Sequence, residues 1–191
     1  MEKQSLRKLY VDVDGVIYAW DVAASTILRN LTGKVLTQPS PSWDSLEKEA
    51  GKAAWREMWN LHIEELFTTG PAIEGAKEAL AELSQHFEIT LVTSRPEAAE
   101  DGTVYWLQKE GIDYDHLVIC GRHSSKPQVL PDPPNFFIDD KPKNILEAQA
   151  PPWNLKDDQV FVFPALYNAD FNHPSKVKGW GEISERLLPK S

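Results

Sequence analysis

Four polar clusters stand out in a chain of 191 residues: Asp12-Val13-Asp14-Gly15, Thr93-Ser94-Arg95, the segment holding Arg122 and Lys126, and Asp139-Asp140. Three or four carboxylates without cysteine partners make a hard oxygen site, which suits Mg²⁺. Hydroxyls and backbone N–H groups at a helix start suit a phosphate. Lys126 adds a point charge for the same anion, and Arg95 has the fork to grip it with two N–H groups. Carboxylates that hold magnesium beside donors for a phosphoryl group describe phosphoryl transfer. One aspartate can then be the nucleophile, and a second can protonate the leaving oxygen and activate water. Each cluster alone has a plainer reading. Asp-Gly is a common turn pair, Ser-Ser-Lys-Pro is ordinary loop composition, and Arg95 is equally placed to pair with Glu97 or Glu100 on the surface.

What raises the set above those readings is where the elements put it. Lys8 to Val13 reads as a strand, as do Phe87 to Val92, His116 to Cys120, Asn135 to Ile138 and Gln159 to Phe163. Helical periodicity falls between them: Ile73 to His86, Pro96 to Glu110 stopped by Gly111, Lys141 to Ala150, and a closing helix with Trp180, Ile183 and Leu187. Strands alternating with helices imply a parallel sheet with helices on both faces, an α/β three-layer arrangement. The clusters follow strands one to four, and in a parallel sheet those ends lie on one edge. Asp12 and Asp14 then share one side of an extended chain, and two like charges so close need a cation, a proton or donors.

Residues 20–71 interrupt the alternation. Asp21 to Leu31 is a helix ended by Gly33, Thr37 to Ser42 is a loop with two prolines, and Ser45 to Phe67 is a long helix or a broken pair. A crossover needs one helix, and this block holds more. It is read as a helical cap inserted into a core made of residues 1–19 and 72–191.

Composition sets the class of partner. The net charge of −9, without a basic cluster, argues against broad binding to nucleic-acid backbone or anionic membrane. A small phosphorylated substrate remains open, because a divalent cation reverses the local field. The single cysteine, Cys120, excludes an intrachain disulfide and a multi-cysteine zinc site. With no apolar signal core before Asp12 and no membrane span, a cytoplasmic location is expected. A homodimer is compatible with the sequence.

The motif set resembles that of the haloacid dehalogenase superfamily, whose phosphatases carry Asp-x-Asp-Gly, a Thr/Ser, a Lys and an acidic pair in that order. Within it the chain is similar to the 5′(3′)-deoxyribonucleotidases over nearly its whole length, through Trp20, Trp55, Pro71, Gly75-Ala76, Ile138-Asp139-Asp140-Lys141-Pro142, Pro152-Trp153, Asn168 and Trp180. Arg95 stands where those enzymes usually have proline, with Pro96 one step later. The resemblance implies a Rossmann-like fold and Mg²⁺-dependent hydrolysis of a nucleoside monophosphate. It makes Asp12 the nucleophile and a metal ligand. Asp14 becomes the acid/base and a ligand through its carbonyl. Thr93 and Ser94 hold the phosphoryl group, and Lys126 neutralises charge. Asp140 is the direct metal ligand, with Asp139 its neighbour. A sugar phosphate or a nucleic-acid 3′-phosphate as substrate, or a non-catalytic magnesium- and nucleotide-binding module, are the alternatives.

Trp20, beside the motif, reads as a wall for a nucleobase. Trp55 and Trp59, one turn apart on an apolar stripe, read as cap packing. Arg122 reads as a solvated loop residue first and as a group serving the phosphate second, His62 and His116 as ordinary packing, Cys120 as a small buried residue and Asn168 as support for the fold. His123 lies near enough to Lys126 to reach the site, but nothing requires it.

Overall fold

The computed structural model describes residues 6–37, 42–122 and 124–189. Strand β1 (Arg7–Val11) leads to four helices, α1 (Trp20–Thr32), α2 (Trp43–Ala50), α3 (Lys52–Leu61) and α4 (Ile63–Thr68). Helix α5 (Ala76–Leu83), β2 (Phe87–Thr93), α6 (Glu100–Glu110), β3 (His116–Ile119) and α7 (Lys126–Val129) follow. The chain ends through β4 (Phe136–Asp139), α8 (Pro142–Gln149), β5 (Val160–Val162) and α9 (Trp180–Leu187). Among the described residues the strands form one parallel sheet in the order β3-β2-β1-β4-β5.

Alternation along the strands divides the interior into two layers. Leu9, Val11, Ile89, Leu91 and Ile138 join the cluster that holds Leu80, Trp106 and Ile183 of α5, α6 and α9. Tyr10, Val92, Phe137, Val160 and Val162 point into the other, with Ile145, Ala148 and Trp153. Because both faces are covered, the strands read as apolar runs without polar alternation, and they end abruptly where the sheet meets solvent.

The elements follow the expected order with local shifts. The stretch from Ser45 to Phe67 breaks twice. Gly51, at φ +96°, separates α2 from α3, and His62 separates α3 from α4. A left-handed Gly75 delays α5 to Ala76, and helix α1 starts at Trp20 itself. Part of the predicted proline loop (38–41) lies outside the described residues, as does His123.

The two segments that join the four-helix block to the sheet run side by side. The Ala19 N–H donates to Pro71 O and the Ile73 N–H to Ile17 O, at 3.0 and 2.9 Å. Tyr18 fastens this neck. Its hydroxyl donates to Leu66 O at 2.6 Å and accepts from the Gly70 N–H at 2.8 Å. Burial pushes that hydroxyl's pKa up to about 12, so it stays protonated. No helix among the described residues is long and apolar enough to cross a membrane.

A β-carbon on Gly70 would lie 2.5 Å from the Tyr18 ring, which is pinned by those bonds and by the edge of Trp106. Gly70→Ala is expected to cost about 1–3 kcal/mol in urea denaturation, the range for overpacking a filled interior. An unchanged midpoint would show that Tyr18 is free to move aside.

Candidate active site

The β1 ladder runs one residue past the strand. The Asp12 N–H donates to Ile138 O at 2.9 Å, which fixes Asp12 beside the end of β4. Val13 O then accepts from Val16, Ile17 and Tyr18, curling the chain back over the sheet edge. Gly15 permits this turn at φ +87°. A β-carbon there would collide with the Asp140 carboxylate, so the glycine also makes room for the acidic pair.

Lys126, the first residue of α7, is buried between two acids. Its Nζ lies 2.8 Å from Asp12 Oδ1 and 2.5 Å from Asp139 Oδ2. Burial alone would lower its pKa, but attraction to Asp12 and Asp139 holds it above the usual lysine value. Asp139 is fully engaged, accepting also from the Lys141 N–H and from Asn144 Nδ2. Burial lifts its carboxyl above the ordinary range, against the pull of Lys126.

Asp140 is held differently. The Tyr167 hydroxyl donates to Oδ2, and Asn168 Nδ2 donates to the Asp140 main-chain carbonyl at 2.6 Å and to Phe163 O at 2.8 Å. Among the described residues Oδ1 is buried without a partner. Burial, and after it the charges of Asp12 and Asp139, push this carboxyl well above its usual range. Among the described residues Asp12, Asp139 and Asp140 bring carboxylate oxygens within 4.8 Å of one another. A hard divalent cation fits this donor set, and the orphaned Oδ1 is the oxygen that needs one.

Asp14 turns away from that trio to a cation of its own. Arg95 Nη2 donates to Asp14 Oδ1 at 2.7 Å, and Nε reaches both carboxylate oxygens at 3.1 Å. Nη1 donates to Thr103 Oγ1 at 2.9 Å, and the guanidinium lies between the rings of Tyr18 and Phe67. Arg95 is therefore not on the surface with Glu97 or Glu100: its Nε, Nη1 and Nη2 each donate to Asp14 or Thr103, and it lines the large cavity over Asp12. Of the two hydroxyl residues, Ser94 lines the large cavity, whereas Thr93 is fully buried and accepts the Arg95 N–H.

That cavity, about 670 Å³, opens over Asp12, Asp14 and Ser94 between the sheet edge and the four-helix block. Its aromatic wall is Trp43, Trp59 and Phe67. Trp20, expected at the ligand, is only 2% exposed and stacks on Trp43 with ring centroids 4.1 Å apart. It borders a second, more apolar cavity of about 450 Å³ with Tyr167 and Asp140, which shares Asp14 and Trp43 with the first. Trp59 packs on Trp20 and Trp55 as its stripe foretold, but it also faces the large cavity. Arg122 is exposed as expected, yet its guanidinium sits 3.5 Å over the Trp59 ring.

Trp43, Tyr167, Asn144 and Thr103 were not legible as site residues. Only Trp43 carried a local signal: it opens a helix capped by Ser42, whose side chain accepts the Ser45 N–H.

The sequence model of the 5′ nucleotidase, deoxy (Pyrimidine), cytosolic type C protein family matches residues 7–190. The chain belongs to this family. The protein is accordingly a phosphoric monoester hydrolase of the nucleotidase family. It is 28% identical over 190 residues to a nucleotidase of Clostridium acetobutylicum, covering 95% of each chain. Its fold is shared with a haloacid dehalogenase-superfamily hydrolase of Geobacter sulfurreducens, at a TM-score of 0.61 and 16% identity over 98% of this chain and 99% of that one. A hydrolase of the same superfamily from Bacillus subtilis, solved bound to magnesium, matches at 0.59 and 15% identity over 97% and 100%.

In this nucleotidase-family site the Arg95–Asp14 pair is a structural commitment, because removing one partner leaves the other buried and uncompensated. Arg95→Met is expected to lower stability by about 3–5 kcal/mol in urea denaturation. Arg95→Lys should recover only part of it, since an ammonium lacks the planar fork. A neutral Arg95→Met would mean that the pair opens to solvent.

Proposed function

We propose that the protein is a magnesium-dependent nucleotidase that hydrolyses nucleoside monophosphates through an aspartyl-phosphate on Asp12. The observation that carries this reading is the position of Asp12: at the floor of the cavity, bound to Lys126, with the unpartnered Asp140 Oδ1 nearby. Asp12 and Asp140 would hold the cation, with the Asp14 carbonyl, while Lys126 and Asn144 keep Asp139 in place beside them. A magnesium ion bound there supplies positive charge against the phosphoryl oxygens.

The protein's own residues then divide the work. An Asp12 carboxylate oxygen attacks phosphorus, and the bond to the leaving oxygen breaks. Lys126 offsets negative charge between nucleophile and phosphoryl group, and the Ser94 hydroxyl donates to a phosphoryl oxygen. Asp14 would move the proton through Oδ2, the oxygen with only the longer contact to Arg95, once the leaving oxygen takes the place of that contact. It gives that proton to the departing alkoxide and takes one from the water that attacks the phosphoenzyme, which frees Asp12 and inorganic phosphate. Arg95 positions Asp14 for both steps. Residues 20–71 serve as the cap: Trp43 and Trp59 offer ring faces for a nucleobase and exclude water during transfer.

Phosphate release with Mg²⁺ across deoxynucleoside monophosphates, sugar phosphates and 3′-phosphorylated oligonucleotides tests the reading. Nucleoside monophosphates are expected to lead, with Asp12→Asn reducing the rate at least about a thousandfold and leaving the melting temperature within a few degrees. Sugar phosphates in the lead would overturn the substrate, and an active Asp12→Asn would overturn the nucleophile.

A further inference from the structure

The cavity over Asp12 and Ser94 has more room than one phosphoryl group needs, and its wall carries two cations that the hydrolysis above does not use. Arg122 follows β3, and Lys141 follows the acidic pair at the end of β4. The Arg122 guanidinium lies 3.5 Å over the Trp59 ring, and Lys141 Nζ lies 4.6 Å over the Trp43 ring. Those rings are neighbours, with centroids 6.4 Å apart. Two cations of the core thus rest on adjacent indoles of the helical block and line the same cavity.

Among the described residues, neither side chain has a carboxylate within ion-pair distance. The other cations of the site are committed: Arg95 to Asp14, Lys126 to Asp12 and Asp139, and Lys143 to Glu147 at 3.6 Å. A ring face attracts a cation but leaves its N–H groups without strong acceptors. In a chain of net charge −9, two unmatched cations facing one cavity reverse the prevailing field at that place. The complement they lack is an anion, and a phosphate is the group that suits both the fork of an arginine and the point charge of a lysine.

We propose that Arg122 and Lys141 form a second anion subsite, so that the preferred substrate is a nucleoside bearing two separate phosphates, a nucleoside 3′,5′-bisphosphate. This rests on the nucleotide reading above. One phosphate is transferred to Asp12 and then to water. The other remains on the leaving nucleoside, held by Arg122 and Lys141, and departs as part of a nucleoside monophosphate. Because the indoles come from the helical block and the cations from the core, the subsite is complete only with the two together.

Initial rates of phosphate release by the full chain with Mg²⁺ are compared for a deoxynucleoside 5′-monophosphate and the matching 3′,5′-bisphosphate. The bisphosphate is expected to have at least tenfold higher kcat/KM, expressed mainly in KM and eroded by added salt. Arg122→Gln and Lys141→Gln should each lower the bisphosphate-to-monophosphate ratio at least threefold, and the double variant should bring it near one. Equal kcat/KM for the two substrates in the unmodified protein overturns the subsite while leaving the nucleotide reading intact. A preference that survives in the double variant also overturns it and leaves the two cations as braces for the indoles. Hydrolysis of sugar phosphates with none of either nucleotide overturns the nucleotide reading itself, and the subsite with it.

Discussion

The Lys126 ammonium between Asp12 and Asp139 is the interaction on which the rest of the site depends. Three carboxylates are gathered at the ends of two adjacent strands, nearly out of reach of water. Each ion removed from solvent costs several kcal/mol even after relaxation, and mutual repulsion adds to that. Lys126 offsets both costs for two of the acids, at 2.8 and 2.5 Å. The third, Asp140, is left with a strongly raised carboxyl and one orphaned oxygen. The site is thus short of positive charge at one defined atom, which gives a physical ground for expecting a divalent cation there. The two acids of the Asp-x-Asp motif do not share one counter-ion. Asp12 faces Lys126 and Asp14 faces Arg95, which gives the two acids different electrostatic surroundings, as the proposed division into nucleophile and proton carrier requires.

The surrounding packing keeps those partners apart. Asp139 and Asp140 are neighbours in sequence but point to different donors, Asp139 to Lys126, Lys141 and Asn144, and Asp140 to Tyr167. Asn168 holds the main chain of Asp140, and the missing β-carbon of Gly15 leaves space for its carboxylate. On the other side, Tyr18 and Phe67 confine the Arg95 guanidinium, and Tyr18 is itself tied to Leu66 and Gly70 at the neck of the four-helix block. The orientation of Asp14 is coupled through Arg95 and Tyr18 to the segments that carry the block.

The sheet, and the side of it on which the chemistry lies, were legible because a strand buried on both faces reads as an apolar run that stops at the site. Leu9 to Val11 before Asp12, and Phe136 to Ile138 before Asp139, are two such stops. The break in the long cap helix was half legible, since Gly51 marks it but periodicity alone runs through it. Side-chain partners were harder. Arg95 has Glu97 and Glu100 nearby in sequence, yet it binds Asp14, 81 positions away, which only the parallel pairing of β1 with β2 brings near. Trp20 looked like the ligand wall because it is close to the motif along the chain. As the first residue of α1 it points into the block, and Trp43, stacked upon it, takes the cavity face. Tyr167 is a lone tyrosine in a single 3₁₀ turn (Leu166–Asn168), and no local pattern connects it with Asp140. Helix α7, at four residues, is too short for periodicity to reveal.

The central claim, that Asp12 forms the bond to phosphorus, is tested most directly by trapping the phosphoenzyme during turnover. Acid quench of the protein with Mg²⁺ and a nucleoside monophosphate, borohydride reduction and peptide mass spectrometry locate the acyl phosphate. The predicted result is conversion of Asp12 to homoserine, dependent on substrate, with Asp14, Asp139 and Asp140 unchanged. Reduction at one of those three instead, or steady hydrolysis with no residue reduced, would contradict it.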